Sequence, residues 1–185
     1  MSTILFIIAA VALVGTGVAY YLVRLSQAKG ARVITCPETR QTAAVEVDAA
    51  RAVLTAIFKG ETEYQLSSCT RWPERAGCGQ ECVVEIHDTP NHCLVRSVLA
   101  DWYLGRNCVF CGKAFGELNW HDHKPGLYDP EQKKNLEWTD VRPELVYAAL
   151  ASFEPVCWDC NLAERFRRER PDLVIDRNRP SAGAH

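Results

Sequence analysis

The sequence carries no surplus of either charge: 21 Lys and Arg stand against 23 Asp and Glu, a net charge of -2. That balance removes any general attraction to nucleic acid or to anionic lipid. No internal repeat and no low-complexity tract interrupts the 185 residues, which suffice for one ordinary domain or two small ones. Charge is wholly missing from Thr3 to Val23. An apolar run of about 20 residues, rising 1.5 Å each, covers the roughly 30 Å hydrocarbon layer of a bilayer, so residues 1–25 are expected to be a transmembrane anchor. Tyr20 and Tyr21 fall where the lipid interface should begin. A cleaved signal peptide also has an apolar core, but no Lys or Arg precedes this run and it is longer than a typical signal core. Arg24, Lys29, Arg32 and Arg40 all follow it. The positive flank predicts a single-pass protein with its N-terminus outside and its soluble part in the cytoplasm.

What the sequence does have is nine cysteines, an odd number spread too widely for a small disulfide scaffold. A cytoplasmic location is reducing and favours thiolate metal sites over disulfides. Cys108 and Cys111 form one Cys-x-x-Cys pair, answered downstream by Cys157 and Cys160. Two such pairs supply the four sulfurs of a closed tetrahedral Zn2+ site, which is structural because no coordination position is left open. A redox dithiol pair is the alternative reading, and iron is the alternative metal, since both ions accept four thiolates. Cys69, Cys78 and Cys82 form a second set, with Cys93 or Cys36 as the fourth ligand of a second site; plain buried thiols are the competing account. Asn161 follows Cys160 where a c-type haem attachment motif requires His.

The segments between read as an α+β protein. After a polar linker over residues 26–31, two short strands flank a turn at 37–41, and Asp48 is placed to cap a helix whose Val53, Leu54, Ile57 and Phe58 share one face, with Gly60 as its stop. A third strand is expected near residues 64–69, then a loop and a short helix through His87. Thr89 and Pro90 should open a further helix, its stripe of Leu94, Val95, Val98, Leu99 and Trp102 ending at Gly105. Beyond the first cysteine pair, residues 114–120 are expected to be a return strand and residues 129–134 a polar excursion. A helix containing Pro143 should follow, and then a last helix starting near Cys157 with Leu162 and Phe166 inward and its arginines in a solvated, mixed-charge face. The divisions drawn are 1–25 for the anchor, 26–105 for a β-hairpin and helix unit, 106–176 for a zinc-braced module, and 177–185 for a tail.

A Cys-x-x-Cys-Gly-Lys turn, a hairpin and a second Cys-x-x-Cys at a helix start resemble the treble-clef zinc fold over residues 106–170. Within that class, Asp122-His123-x-Pro125 followed by Cys157-x-x-Cys160-Asn161 is similar to the zinc-braced HNH endonucleases. The resemblance implies His123 as general base on a water, and Asp122 and Asn161 as ligands of a catalytic divalent cation. The proline arrives one residue earlier than in that motif, and Asn135 is the one candidate for its middle asparagine. The stretches Cys36 to Thr39, Cys69 to Glu74 and Pro155 to Cys160 also resemble a family of bacterial single-pass, cysteine-rich membrane proteins, a likeness that implies no activity. The expected function is therefore a membrane-anchored zinc-binding accessory or scaffolding module that docks to a membrane-protein partner without catalysis, with Trp72 and Trp120 as contact residues. An HNH-type nuclease acting on nucleic acid and an iron-binding or dithiol redox protein are the alternatives.

Overall fold

The computed structural model describes residues 2–75, 77–118, 120 and 123–173. Helix α1 (Ser2–Ala28) is long and apolar enough to cross a membrane, a property that signal sequences near an N-terminus share. Two compact units follow the chain, one of residues 1–99 with 143–146, the other of residues 100–142 with 147–185. Both mix short strands with helices, so the protein is α+β.

In the first unit, β1 (Arg32–Thr35), β2 (Thr42–Val47) and β3 (Leu66–Cys69) form an antiparallel sheet in that order. Val33 faces Ala44 across one ladder and Val45 faces Cys69 across the other, with a bulge between Glu46 and Val47. Ile34, Val45, Val47 and Leu66 are buried with Ile86 of α3 (Val83–Asp88), which fixes the register by placing one apolar face inward. Helix α2 (Ala49–Lys59) begins where Asp48 Oδ1 accepts the Arg51 N–H and ends at Gly60, whose φ of 76° is a left-handed cap open to glycine.

Three features of this unit differ from the sequence reading. Helix α1 runs through Ala28, so no linker spans residues 26–31. Instead Arg96 donates to the carbonyls of Ser26 and Gln27, while the buried Arg32 donates to those of Ala28 and Gly30, and these cations cap the helix end. Helix α2 turns Ala49, Ala52 and Val53 inward and leaves Leu54, Ile57 and Phe58 exposed, because the small alanines permit close approach to the neighbouring elements. Helix α4 (Val95–Tyr103) starts six residues after Thr89, since residues 89–94 form a turn that ends in a bridge between Arg32 and Leu94.

The second unit holds β4 (Gly126–Asp129), β5 (Lys134–Leu136) and β6 (Glu154–Val156), with β4 central and both neighbours antiparallel to it. The stretch read as a polar excursion is the hairpin turn between β4 and β5, tied by Asp129 Oδ1 accepting from the N–H groups of Glu131 and Gln132. The described part of 114–120 makes one bridge, Asn107 to Ala114, and forms no strand. Pro143 lies in a short 3-10 turn, and the helix proper, α5 (Val146–Ser152), starts after it. Helix α6 (Trp158–Glu169) takes Cys157 as its N-cap and leaves Phe166 exposed rather than inward. Arg165 bonds Glu137 at 2.6 Å and Arg167 pairs with Glu164, consistent with a mixed-charge face. The core here is small: Tyr103, Leu127 and Val156 are fully buried, with the Tyr103 hydroxyl donating to the Gly126 carbonyl at 2.6 Å and accepting from Trp138 Nε1 at 3.1 Å.

Candidate metal centre

Two local structures bring the downstream thiols together. The first is the turn Cys108–Lys113. Its backbone closes with the Cys108 N–H on the Lys113 carbonyl and the Gly112 N–H on the Cys108 carbonyl, both at 2.9 Å. Gly112 sits at a φ of 72°, a conformation that costs a side-chain-bearing residue energy. The second is the start of α6, where extended Cys157 precedes the first helical turn and brings Cys160 round to the same side. Val109 N–H donates to the Pro155 carbonyl, so the turn is stitched to β6 immediately before Cys157.

The result is that the sulfurs of Cys108, Cys111, Cys157 and Cys160 all lie within 4.8 Å of one another, and among the described residues they are the one group of candidate ligands drawn so close. Cys111 and Cys157 Sγ are 3.6 Å apart. A tetrahedral zinc with Zn–S bonds of about 2.3 Å has sulfur–sulfur edges of about 3.8 Å, so the Cys111–Cys157 spacing matches that ion and the outer limit of 4.8 Å asks the set to draw in by up to about 1 Å. The surroundings also suit thiolates. Burial alone would push the Cys108 thiol up, but the N–H groups of Cys157, Cys111 and Phe110 outweigh it and bring it down to about 7. Burial, followed by the neighbouring thiols, pushes Cys160 well above the ordinary range, and burial also raises Cys157. Four thiols so placed cannot all ionise without a cation among them, which is the electrostatic reason for expecting a metal.

The residues of the nuclease resemblance are placed differently from one another. Asp122 lies outside the described residues, as does His121. His123 is exposed and stands edge-on to Trp158, with ring centroids 5.7 Å apart. Asn161 is buried, its amide oxygen accepting from Asn135 Nδ2 at 3.2 Å. It packs against β4 so tightly that a Cβ on Gly126 would come within 2.7 Å of its side chain. Asn161 thus ties α6 to β4 and β5, a role that no local pattern in the sequence signalled.

The upstream cysteines separate into two groups. Cys36, Cys69, Cys78 and Cys82 line one cavity of about 490 Å³ that Cys93 does not line; Cys82 and Cys93 are both buried in the core of this unit, Cys93 with its thiol on the Pro90 carbonyl at 3.7 Å. Burial, and after it the thiols of Cys78, Cys69 and Cys36, push Cys82 up to about 11. Of the two tryptophans read as contact residues, Trp72 packs against the core of the first unit and Trp120 is half-buried. The chain matches no family model, no curated protein and no solved structure.

Proposed function

We propose that this protein is a membrane-anchored, zinc-braced accessory module that acts by contact with another membrane protein and performs no chemistry at its metal. The observation that supports this reading is the closure of the Cys108 site. Four sulfurs within 4.8 Å of one another, once drawn onto one zinc, would consume every position of a four-coordinate ion and leave none for water or substrate. Residues 106–170 are taken as a treble clef, in which the Cys108 turn, the β4–β5 hairpin and α6 are the parts held by the ion, with residues 137–156 inserted between hairpin and helix. Helix α1 serves as the anchor in this reading, and the basic residues after it favour the cytoplasmic side for the rest of the chain. The engagement of Asn161 with Asn135 speaks against its use as a cation ligand, so the nuclease reading is set second.

The test is to solubilise the full-length chain from its native membrane in a mild detergent, through a C-terminal tag. Recovery with one membrane protein at fixed stoichiometry is expected; a lone monomer under all mild conditions refutes the docking role. Incubation with plasmid and Mg2+ or Mn2+ decides the catalytic alternative. The wild type and His123→Ala should both leave DNA intact, and cleavage by the wild type alone would replace this reading with the nuclease.

A further inference from the structure

The turn that holds Cys108 has a counterpart in the first unit. Cys36 N–H donates to the Gln41 carbonyl at 2.9 Å and Arg40 N–H to the Cys36 carbonyl at 2.7 Å, the same two bonds at the same spacing as in Cys108–Lys113. The N–H groups two and three residues on, those of Glu38 and Thr39, point at the Cys36 sulfur, as those of Phe110 and Cys111 point at Cys108. Arg40 adopts a φ of 57° where the other turn has Gly112 at 72°. Arginine there carries strain that glycine does not, and strain of that kind persists where the surroundings require the conformation. In place of Cys111 this turn has Thr39, so it offers one sulfur instead of two.

The missing sulfurs come from three other places around the same cavity. Cys69 ends β3, and Cys78 and Cys82 follow in a loop where Gln80 N–H donates to Cys78 Sγ at 3.4 Å. Gln80 has a φ of 58°, so two of the three non-glycine residues with positive φ among those described occur in turns that present a cysteine to this cavity. Arg71 and Arg75 also line it, and Arg71 Nε is buried without a hydrogen-bond partner. Both guanidinium groups are paired with carboxylates of the same lining, Arg71 with Glu74 and Arg75 with Glu38, so they offset those acids and not the net charge of about -2 that four thiolates leave around a divalent ion. Among the described residues only the Cys108 set has all its sulfurs within 4.8 Å, so the upstream four stand wider and coordination must draw them in.

We propose that Cys36, Cys69, Cys78 and Cys82 form a second tetrathiolate site for Zn2+, and that Cys93 is not a ligand. Binding releases the thiol protons to solvent and closes the cavity around one ion. The site uses none of the residues of the Cys108 centre and stands or falls separately from it.

The test uses the full chain in detergent, loaded with Zn2+ and freed of excess ion. Metal analysis should give two zinc per chain, falling to one in Cys36→Ser with Cys69→Ser, falling to one in Cys108→Ser with Cys157→Ser, and staying at two in Cys93→Ser. One zinc per wild-type chain at saturation overturns the proposal, as does loss of a zinc in Cys93→Ser. Alkylation of the unmutated protein guards against variants that fail to fold. Cys36, Cys69, Cys78 and Cys82 should resist labelling until a chelator is added. Labelling of exposed Cys78 and of Cys36 at full zinc loading refutes the site, whatever Cys108 and Cys157 do.

Discussion

Loss of the ion from the Cys108 centre should unfold α6 and the Cys108 turn while leaving α2 intact. Among the described residues of the second unit three large side chains are fully buried, Tyr103, Leu127 and Val156. At about 1.5 to 3 kcal/mol each they contribute roughly 5 to 9 kcal/mol. A structural zinc contributes roughly 10 to 16 kcal/mol in small zinc-dependent folds, so the metal is the larger of the two. Around the site itself the buried cluster is Cys108, Val156 and Cys157, with Phe115, Tyr128 and Cys160 at its edge, so half of its members are ligands. Hydrogen exchange read by mass spectrometry separates the parts. In Cys108→Ser with Cys157→Ser, amides of residues 158–169 should exchange at the rate of an unfolded chain. Those of residues 49–59, held by the Asp48 cap and by the burial of Ala49, Ala52 and Val53, should keep their protection. Continued protection of α6, in protein shown by metal analysis to have lost the ion, would mean that apolar packing holds this unit and that the argument from its small core is wrong.

Other perturbations test other joints. Tyr103→Phe removes a hydroxyl that serves both the Gly126 carbonyl and Trp138 Nε1 in a buried place, and should cost about 1 to 3 kcal/mol in urea unfolding of the zinc-loaded protein. Gly126→Ala sets a methyl 2.7 Å from Asn161 Cγ and should destabilise by about 1 to 3 kcal/mol, with Asn161→Ala in the same chain recovering part of the loss. Arg96→Ala leaves the Ser26 and Gln27 carbonyls uncapped, so proteolysis or exchange near residues 26–30 should rise while metal content stays fixed; no change there would show that the cap is idle. In metal-free protein the Cys36 thiol, held below its ordinary value by Thr39 and then by the Glu38 N–H, should reach half-maximal alkylation at a lower pH than Cys82, which burial holds high. The reverse order would contradict the turn geometry at Cys36.

Local signals were legible where one or two residues settle the backbone. Asp48 and Gly60 bracket α2, β-branched residues mark β1 and β2, and Cys157 opens α6, all within a residue or two of their positions in the sequence reading. What a helix turns inward was less legible, because the neighbours decide it. Periodicity favours the large residues Leu54, Ile57 and Phe58, but the structure uses the alanines of α2 for close packing. The β4–β5 hairpin was hidden because its turn, with Asp129, Pro130 and two lysines, has the composition of a solvated loop, and only the Asx-type bonds of Asp129 show it to be a tight reversal.

The choice between Cys36 and Cys93 shows the same limit from the side of chemistry. Spacing along the chain treats the two as equals, since each is one cysteine at an arbitrary distance from Cys69, Cys78 and Cys82. Backbone hydrogen bonds do not. A thiolate that is to sit beside three others needs donors aimed at its sulfur, and the turn after Cys36 supplies two N–H groups; Cys93 has the Arg32 guanidinium beside it, but its thiol donates to the Pro90 carbonyl and it lines no part of the cavity that the other four share. Thr39→Cys follows directly: in the Cys36 turn it restores the i+3 thiol that Cys111 provides downstream, and it should let Zn2+ be held at this cavity after Cys69→Ser has removed a native ligand. Failure of that replacement to recover the lost equivalent, with the Cys108 centre still loaded, would show that matching hydrogen bonds do not make the two turns equivalent in metal binding.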